Sequence, residues 1–305
     1  MIRIPPINDF CKSEYLKDTF PALKQFLNSV KNNPDYEKEI GYLSNGEELD
    51  DEKISNLLIG DISKLEHTIT EIGTIQPRRE NDGFHRLYEN FTKRKLGKTW
   101  AEKIGVSICP YCNRSYIFTL KKSGVRPQYD HFFPKSLYPY LALSMYNLIP
   151  CCAICNQAKS DFNTFNTETH SANFIYPHTD SYGDRIKFDI SIEDDIFALL
   201  GSSNNFEIDI LGLDGDAGQN AQKAVETLSL RELYNKHIDY VQDIIKTTYI
   251  YDDNYFQSLS ETFPDFFKSP EEAANLVYMN FLNEEDWDKR ILSKLTHDIK
   301  LKFQK

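Results

Sequence analysis

The chain has 305 residues, of which 40% are hydrophobic and 27% are charged, and its formal net charge is −11 at pH 7. This is the composition of an ordinary soluble globular protein, long enough for one large core or two modest ones. No run approaches the ~18 consecutive apolar residues of a membrane span, and the first ten residues do not resemble a signal peptide. The sequence therefore predicts a cytoplasmic protein that does not enter a membrane.

The N-terminal part of the chain is predicted to be helical. Apolar residues recur at helical spacing between Ile54 and Ile72, and a further helix is predicted over His85–Ile104. From Cys109 to about Phe165, short apolar runs are broken by Pro, Gly and Asn, which indicates a small mixed α/β motif.

The C-terminal part is predicted to begin with strands and end with helices. Alternating apolar and polar residues predict strands over Ile186–Ile192 and Phe206–Ile210. After Gly218 the apolar spacing becomes helical again, and Ser269 followed by Pro270 is typical of a helix start. The expected fold class is α+β, mainly α-helical, with a helical region 1–104, a central motif 105–180, and strands followed by helices in 181–305.

Basic residues are concentrated in the middle of this acidic chain. Between His85 and Ser160 there are twelve Lys and Arg residues but only three Asp and Glu residues. Such a segment can attract phosphates while the acidic remainder repels DNA, which would confine binding to one face. The alternative is a solvated basic helix around residues 93–103, which include Lys93, Arg94 and Lys95.

Four of the six cysteines form two Cys-x-x-Cys pairs. Cys109 and Cys112 make the first pair, and Cys152 and Cys155 make the second. In a cytosolic chain such pairs favour metal over disulfides, and four thiolates complete a structural zinc site. The neighbouring Cys151 could replace Cys152, although only Cys152 leaves two residues before Cys155. The 39 residues between the pairs leave room for a folded segment.

That segment contains a recognisable series of polar residues. Asp130 and His131 are adjacent and are followed by Pro134, and Asn147 comes sixteen residues after His131. Asn156 directly follows the last of the four cysteines, and Lys159 comes three residues later.

In this order, the residues of Cys109–Asp161 resemble the HNH (ββα-metal) endonuclease family. The shared pattern is a zinc knuckle, Asp-His-x-x-Pro, a central Asn, a second knuckle and Asn-x-x-Lys, with Asn156 at a position where the family also has His. The resemblance implies a zinc-braced ββα motif and Mg²⁺-dependent hydrolysis of DNA, with Mn²⁺ as a substitute metal. More loosely, the flanks resemble HNH nucleases of bacterial anti-phage defence (Septu-like systems), which implies a partner ATPase or another defence-system subunit.

The resemblance also implies a role for each residue. His131 would be the general base that deprotonates water, and Asp130 and Asn156 would be the magnesium ligands. Because neighbours on a strand point to opposite faces, Asp130 and His131 would need a twist or bulge to serve one site. Asn147 would brace the loop that carries His131, and Lys159 would hold a phosphate. The alternative function is a non-catalytic zinc module that binds nucleic acid or protein.

Overall fold

The structure is a computed structural model that describes residues 2–76, 82–93, 95–192 and 195–304. About half of the described residues are helical, and the described strands form four two-stranded antiparallel sheets. Within these ranges no helix is both long enough and apolar enough to span a membrane.

The chain is divided into two compact units. The N-terminal unit comprises Ile4–Val106 and Ile117–Thr179, and the C-terminal unit comprises Met1–Arg3, Ser107–Tyr116 and Asp180–Lys305. The segment Ile117–Thr179 groups with the N-terminal helices, because a two-stranded hairpin buries too little surface to form a core alone.

The N-terminal unit contains seven helices and six short strands within the described ranges. Their bounds are α1 Asp9–Val30, α2 Glu37–Leu43, β1 Ser44–Asn45, β2 Glu48–Leu49, α3 Asp51–Ile59, α4 Ile62–Ile72, α5 Gly83–Lys93, α6 Leu96–Ile104, β3 Gln128–His131, β4 Leu148–Cys151, α7 Ala153–Lys159, β5 Phe165–Asn166 and β6 Ser171–Ala172. Short 3-10 turns lie at Pro34–Tyr36, Pro139–Leu141 and Met145–Asn147.

The apolar stripe from Ile54 to Ile72 is divided between α3 and α4. Gly60 takes an extended conformation after α3, and the side chain of Asp61 caps α4 by accepting a hydrogen bond from the Lys64 backbone. Both helices bury apolar residues of this stripe, so its helical spacing continues across the break. The helix predicted over His85–Ile104 is likewise two helices, with Lys95 in the left-handed conformation directly before α6.

The loop between β3 and β4 is anchored to the helices of its own unit. The Tyr15 hydroxyl on α1 donates to Leu143 O at 2.7 Å, and the Ser144 hydroxyl donates to Leu57 O at 2.5 Å. Tyr140 donates to Gly73 O at 2.8 Å. These buried bonds give the hairpin a rigid helical support.

The C-terminal unit pairs two strands and covers them with helices. Its bounds are β7 Ile186–Ser191, α8 Ile196–Leu199, β8 Glu207–Gly212, α9 Asp216–Thr227, α10 Leu230–Tyr234, α11 Ile238–Ile250, α12 Asp253–Thr262, α13 Pro270–Val277 and α14 Ser293–Phe303, with 3-10 turns at Gly183–Arg185, Asn235–His237 and Glu284–Asp286. The two predicted strands are confirmed as β7 and β8, and they pair in antiparallel register from Ile186–Gly212 to Ser191–Glu207. Ser269 caps α13 as predicted.

Candidate functional site

Four cysteine side chains form a compact cluster. The sulfur atoms of Cys109, Cys112, Cys152 and Cys155 all lie within 4.8 Å of one another. Four thiolates around zinc at a Zn–S distance of about 2.3 Å lie about 3.8 Å apart, so the donor set and its spacing suit this metal. Cys109, Cys112 and Cys155 are buried, and Cys152 is half-buried. The cluster could therefore hold a metal such as zinc.

Backbone groups around the cluster point towards its sulfur atoms. The Arg114 amide lies 3.4 Å from the Cys112 sulfur, and the Cys155 amide lies 3.5 Å from the sulfur of Cys152, which caps α7. Amide donors stabilise the negative charge of a thiolate, as metal ligation requires. Cys151 is not among the four clustered cysteines. It lies in β4, and burial raises the pKa of its thiol well above the ordinary value.

Asn113 holds the first pair of cysteines in place. It adopts the left-handed conformation at φ 49°, and its amide donates to Cys109 O at 2.9 Å. Its side chain donates to Trp287 O at 3.0 Å, and its own carbonyl accepts from the Leu292 amide. The sequence did not single out Asn113, because its partners Trp287 and Leu292 lie more than 170 positions away.

The second group of predicted residues lies on a hairpin followed by a helix. β3 and β4 pair in antiparallel register, with Asp130 opposite Ile149 and His131 opposite Leu148. The pairing is continuous through both residues, so no bulge interrupts it there. Asp130 and His131 therefore keep different contacts, as expected for neighbours on a strand. The helix α7 begins at Ala153, three residues before Asn156.

Asn147 ties both ends of the loop together. Its side-chain oxygen accepts from the Phe133 amide at 2.7 Å, and its side-chain nitrogen donates to Phe133 O at 3.0 Å and to Leu141 O at 3.2 Å. The residue is fully buried. The resemblance implies that Asn147 braces the loop that carries His131, and these bonds join it to Phe133 and Leu141 of that loop.

His131 is buried in a defined orientation. Its Nε2 donates to Ala142 O at 3.1 Å, and the ring of Tyr88 meets it edge-on at a centroid distance of 4.5 Å. Burial, followed by the positive charge of Lys135, lowers the pKa of His131 to about 3. A neutral imidazole that carries its proton on Nε2 has a lone pair on Nδ1, which is the form that can accept a proton.

Asp130 forms a buried ion pair with Lys159. Lys159 Nζ lies 3.0 Å from Asp130 Oδ1 and also donates to His131 O at 2.8 Å. The expectation that Lys159 contacts a phosphate does not fit this arrangement, because its ammonium is enclosed by these partners. The helical spacing correctly placed Lys159 one turn after Asn156, but it could not show that this side of the helix faces β3.

Asn156 lies at the surface end of the same group. Its side-chain nitrogen donates to Gln128 Oε1 at 2.8 Å, which links α7 to the first residue of β3. In the part of the chain that the structure describes, no hydrogen bond to Asn156 Oδ1 is recorded. This amide oxygen therefore remains suited to a hard metal ion.

The basic segment is partly neutralised by its own helices. Lys93 lies 2.9 Å from Glu89, and Lys98 lies 3.7 Å from Glu102, both one helical turn away. The exposed Lys93–Glu89 pair fits the solvated-helix alternative for α5, whereas the Lys98 side chain on α6 is largely covered. Arg94 lies outside the described residues.

The chain was compared with protein-family models, with curated proteins and with solved structures, and none of the three comparisons finds a match.

Proposed function

We propose that the protein is a metal-dependent endonuclease of the HNH type that hydrolyses phosphodiester bonds in DNA. The observation that carries the proposal is the state of His131: a buried, neutral imidazole whose Nε2 proton is held by Ala142 O. Because the proton is on Nε2, Nδ1 is unprotonated and can act as a base. Asp130 precedes His131 on β3 and Asn156 lies on α7, so the same hairpin and helix also carry two oxygen donors.

The oxygen donors fit magnesium by their chemistry. Asp130 would supply a carboxylate oxygen and Asn156 an amide oxygen, the oxygen ligands that Mg²⁺ prefers. Two protein ligands leave room for the waters and phosphate oxygens that Mg²⁺ retains. When bound, Mg²⁺ would polarise the phosphodiester and stabilise the departing 3′ oxygen, and Mn²⁺ would substitute for it.

The residues of the chain would then act in order. His131 Nδ1 accepts a proton from a water molecule while the water oxygen bonds to phosphorus. The bond from phosphorus to the 3′ oxygen breaks, and that oxygen takes a proton from solvent, which gives 5′-phosphate and 3′-hydroxyl ends. The negative phosphate beside the imidazole would raise the pKa of His131 towards the range of an effective base. Lys159 orients Asp130 throughout.

The cysteine cluster has a structural role in this proposal. A zinc ion with four thiolate ligands has no open position for substrate, so zinc would hold the fold and take no part in catalysis. We propose a cytoplasmic location. A partner ATPase or another defence-system subunit is a further proposal, supported only by the loose resemblance of the flanking segments.

Cleavage of a supercoiled plasmid in Mg²⁺ tests the proposal directly. Wild-type protein should nick or linearise the plasmid, and His131→Ala should reduce the rate by roughly 10²–10⁴-fold. His67→Ala, which removes an exposed imidazole from α4, is the matched control and should cleave normally. Zinc content and melting temperature are measured for each variant. Equal cleavage by His131→Ala, or none by the wild type, would favour the non-catalytic zinc module.

A further inference from the structure

Two lysines lie near His131, and they have different surroundings. Lys159 is fully enclosed, and its ammonium donates to Asp130 and to the backbone of His131. Lys135 is half-buried, and among the described residues no hydrogen bond or ion pair of its ammonium is recorded. Only the second lysine keeps its donors for a ligand.

The ring of Tyr88 supports Lys135 without using those donors. Lys135 Nζ lies 4.8 Å from the Tyr88 ring centroid, within the range of a cation–π contact. Glu89 is the carboxylate that acts electrostatically on Lys135, and Glu89 itself bonds Lys93 at 2.9 Å. The ammonium therefore lies against the neutral ring of Tyr88, which accepts no hydrogen bond from its N–H donors.

The same ring also contacts His131. The centroids of the two rings lie 4.5 Å apart in an edge-to-face arrangement with an interplanar angle of 67°. The backbone that carries Lys135 is fixed as well, because Asn147 bonds Phe133 and the Leu137 amide bonds Pro134 O at 3.0 Å. One aromatic side chain of α5 thus sets the positions of a base and a cation relative to each other.

We propose that Lys135, supported by Tyr88, binds a phosphate oxygen of the nucleic acid at the His131 site, and that Lys159 is instead the counter-ion of Asp130. This inference rests on the proposed function and deepens it. Tyr88 acts through its neighbours and is a positioning residue. A cation beside the base would bring the scissile phosphate within reach of the water that His131 activates.

Salt-dependent DNA binding tests the inference apart from catalysis. Zinc-loaded full-length protein is titrated against a fluorescent duplex oligonucleotide in EDTA-free buffer with Ca²⁺, and affinity is measured from 50 to 200 mM KCl. Each phosphate contact contributes about −0.9 to the slope of log affinity against log salt. Lys135→Gln should make this negative slope less steep by about 0.9, whereas Lys17→Gln, a matched loss of an exposed lysine on α1, should leave it unchanged.

Variants of Tyr88 test the supporting ring. Tyr88→Phe keeps the aromatic face and should bind with the wild-type slope, whereas Tyr88→Leu should reproduce the Lys135→Gln slope. An unchanged slope for Lys135→Gln, or equal behaviour of the Phe and Leu variants, would overturn the inference. Failure of the proposed function is distinguishable, because it would appear as absent plasmid cleavage by the wild type in Mg²⁺. Wild-type protein that cleaves while Lys135→Gln binds normally would refute the inference alone.

Discussion

Lys159 Nζ lies 3.0 Å from Asp130 Oδ1, and the two side chains are only 0% and 2% exposed. The same ammonium donates to His131 O, so the last residue of α7 holds this helix against β3. Removing one partner from a pair so far from water leaves an uncompensated buried charge.

Lys159→Met should lower the free energy of unfolding by about 3–5 kcal/mol, because Asp130 would be left as a buried charge without its partner. Asp130→Asn combined with Lys159→Met removes both charges and should recover most of that loss. Chemical denaturation followed by far-UV circular dichroism measures both variants. If Lys159→Met is as stable as the wild type, water must reach the ion pair of Asp130 and Lys159.

Removal of a cluster ligand should cost both metal and stability. We expect about one zinc per chain by elemental analysis, and Cys112→Ser should lose it together with thermal stability, because ligation contributes directly to folding. Cys11→Ser is the matched control, since Cys11 lies on α1 outside the cluster. Active protein without zinc, or full stability after chelation, contradicts this expectation.

Asn156→Ala should raise the Mg²⁺ concentration needed for half-maximal cleavage, because it removes a metal ligand and leaves the base in place. Mn²⁺ should relieve part of the defect, since it binds such sites more tightly. Gln157→Ala, the exposed neighbour on α7, serves as the control. Cleavage rate against metal concentration is the measurement, and coincident curves would remove Asn156 from the ligand set.

His178 should make the protein less stable in mild acid. Burial against Tyr146 and Tyr176 lowers the pKa of His178 to about 3, below the ordinary value near 6.5. The unfolded chain therefore binds more protons between these values, so this group contributes full stability above pH 6.5 and loses it as the pH falls towards 3. At pH 5 the loss should be about 2 kcal/mol.

The variant His178→Phe keeps the ring packing and removes this titration. Its melting temperature should fall less than that of the wild type between pH 7 and pH 5, whereas His67→Phe, at an exposed position, should follow the wild type. If the melting temperatures of His178→Phe and the wild type fall equally between pH 7 and pH 5, protonation of His178 does not lower the stability of the protein.

The sequence alone was sufficient for features that depend on short-range patterns. Two Cys-x-x-Cys spacings predicted which four cysteines would gather, and the alternation around Phe188 predicted the strand β7. The spacing of the cysteine ligands and the two-residue period of side chains along a strand can both be read directly from the sequence.

Only the tertiary structure decided which polar groups are enclosed and which remain available. Lys159 and Lys135 are equally cationic in the sequence, yet packing against β3 enclosed the first, and the ring of Tyr88 from a distant helix supported the second. The sequence likewise could not show that Gly60 ends one helix before the apolar stripe ends. Burial and electrostatic environment depend on residues far apart in the chain, so their effect on a charge is defined only once the chain has folded.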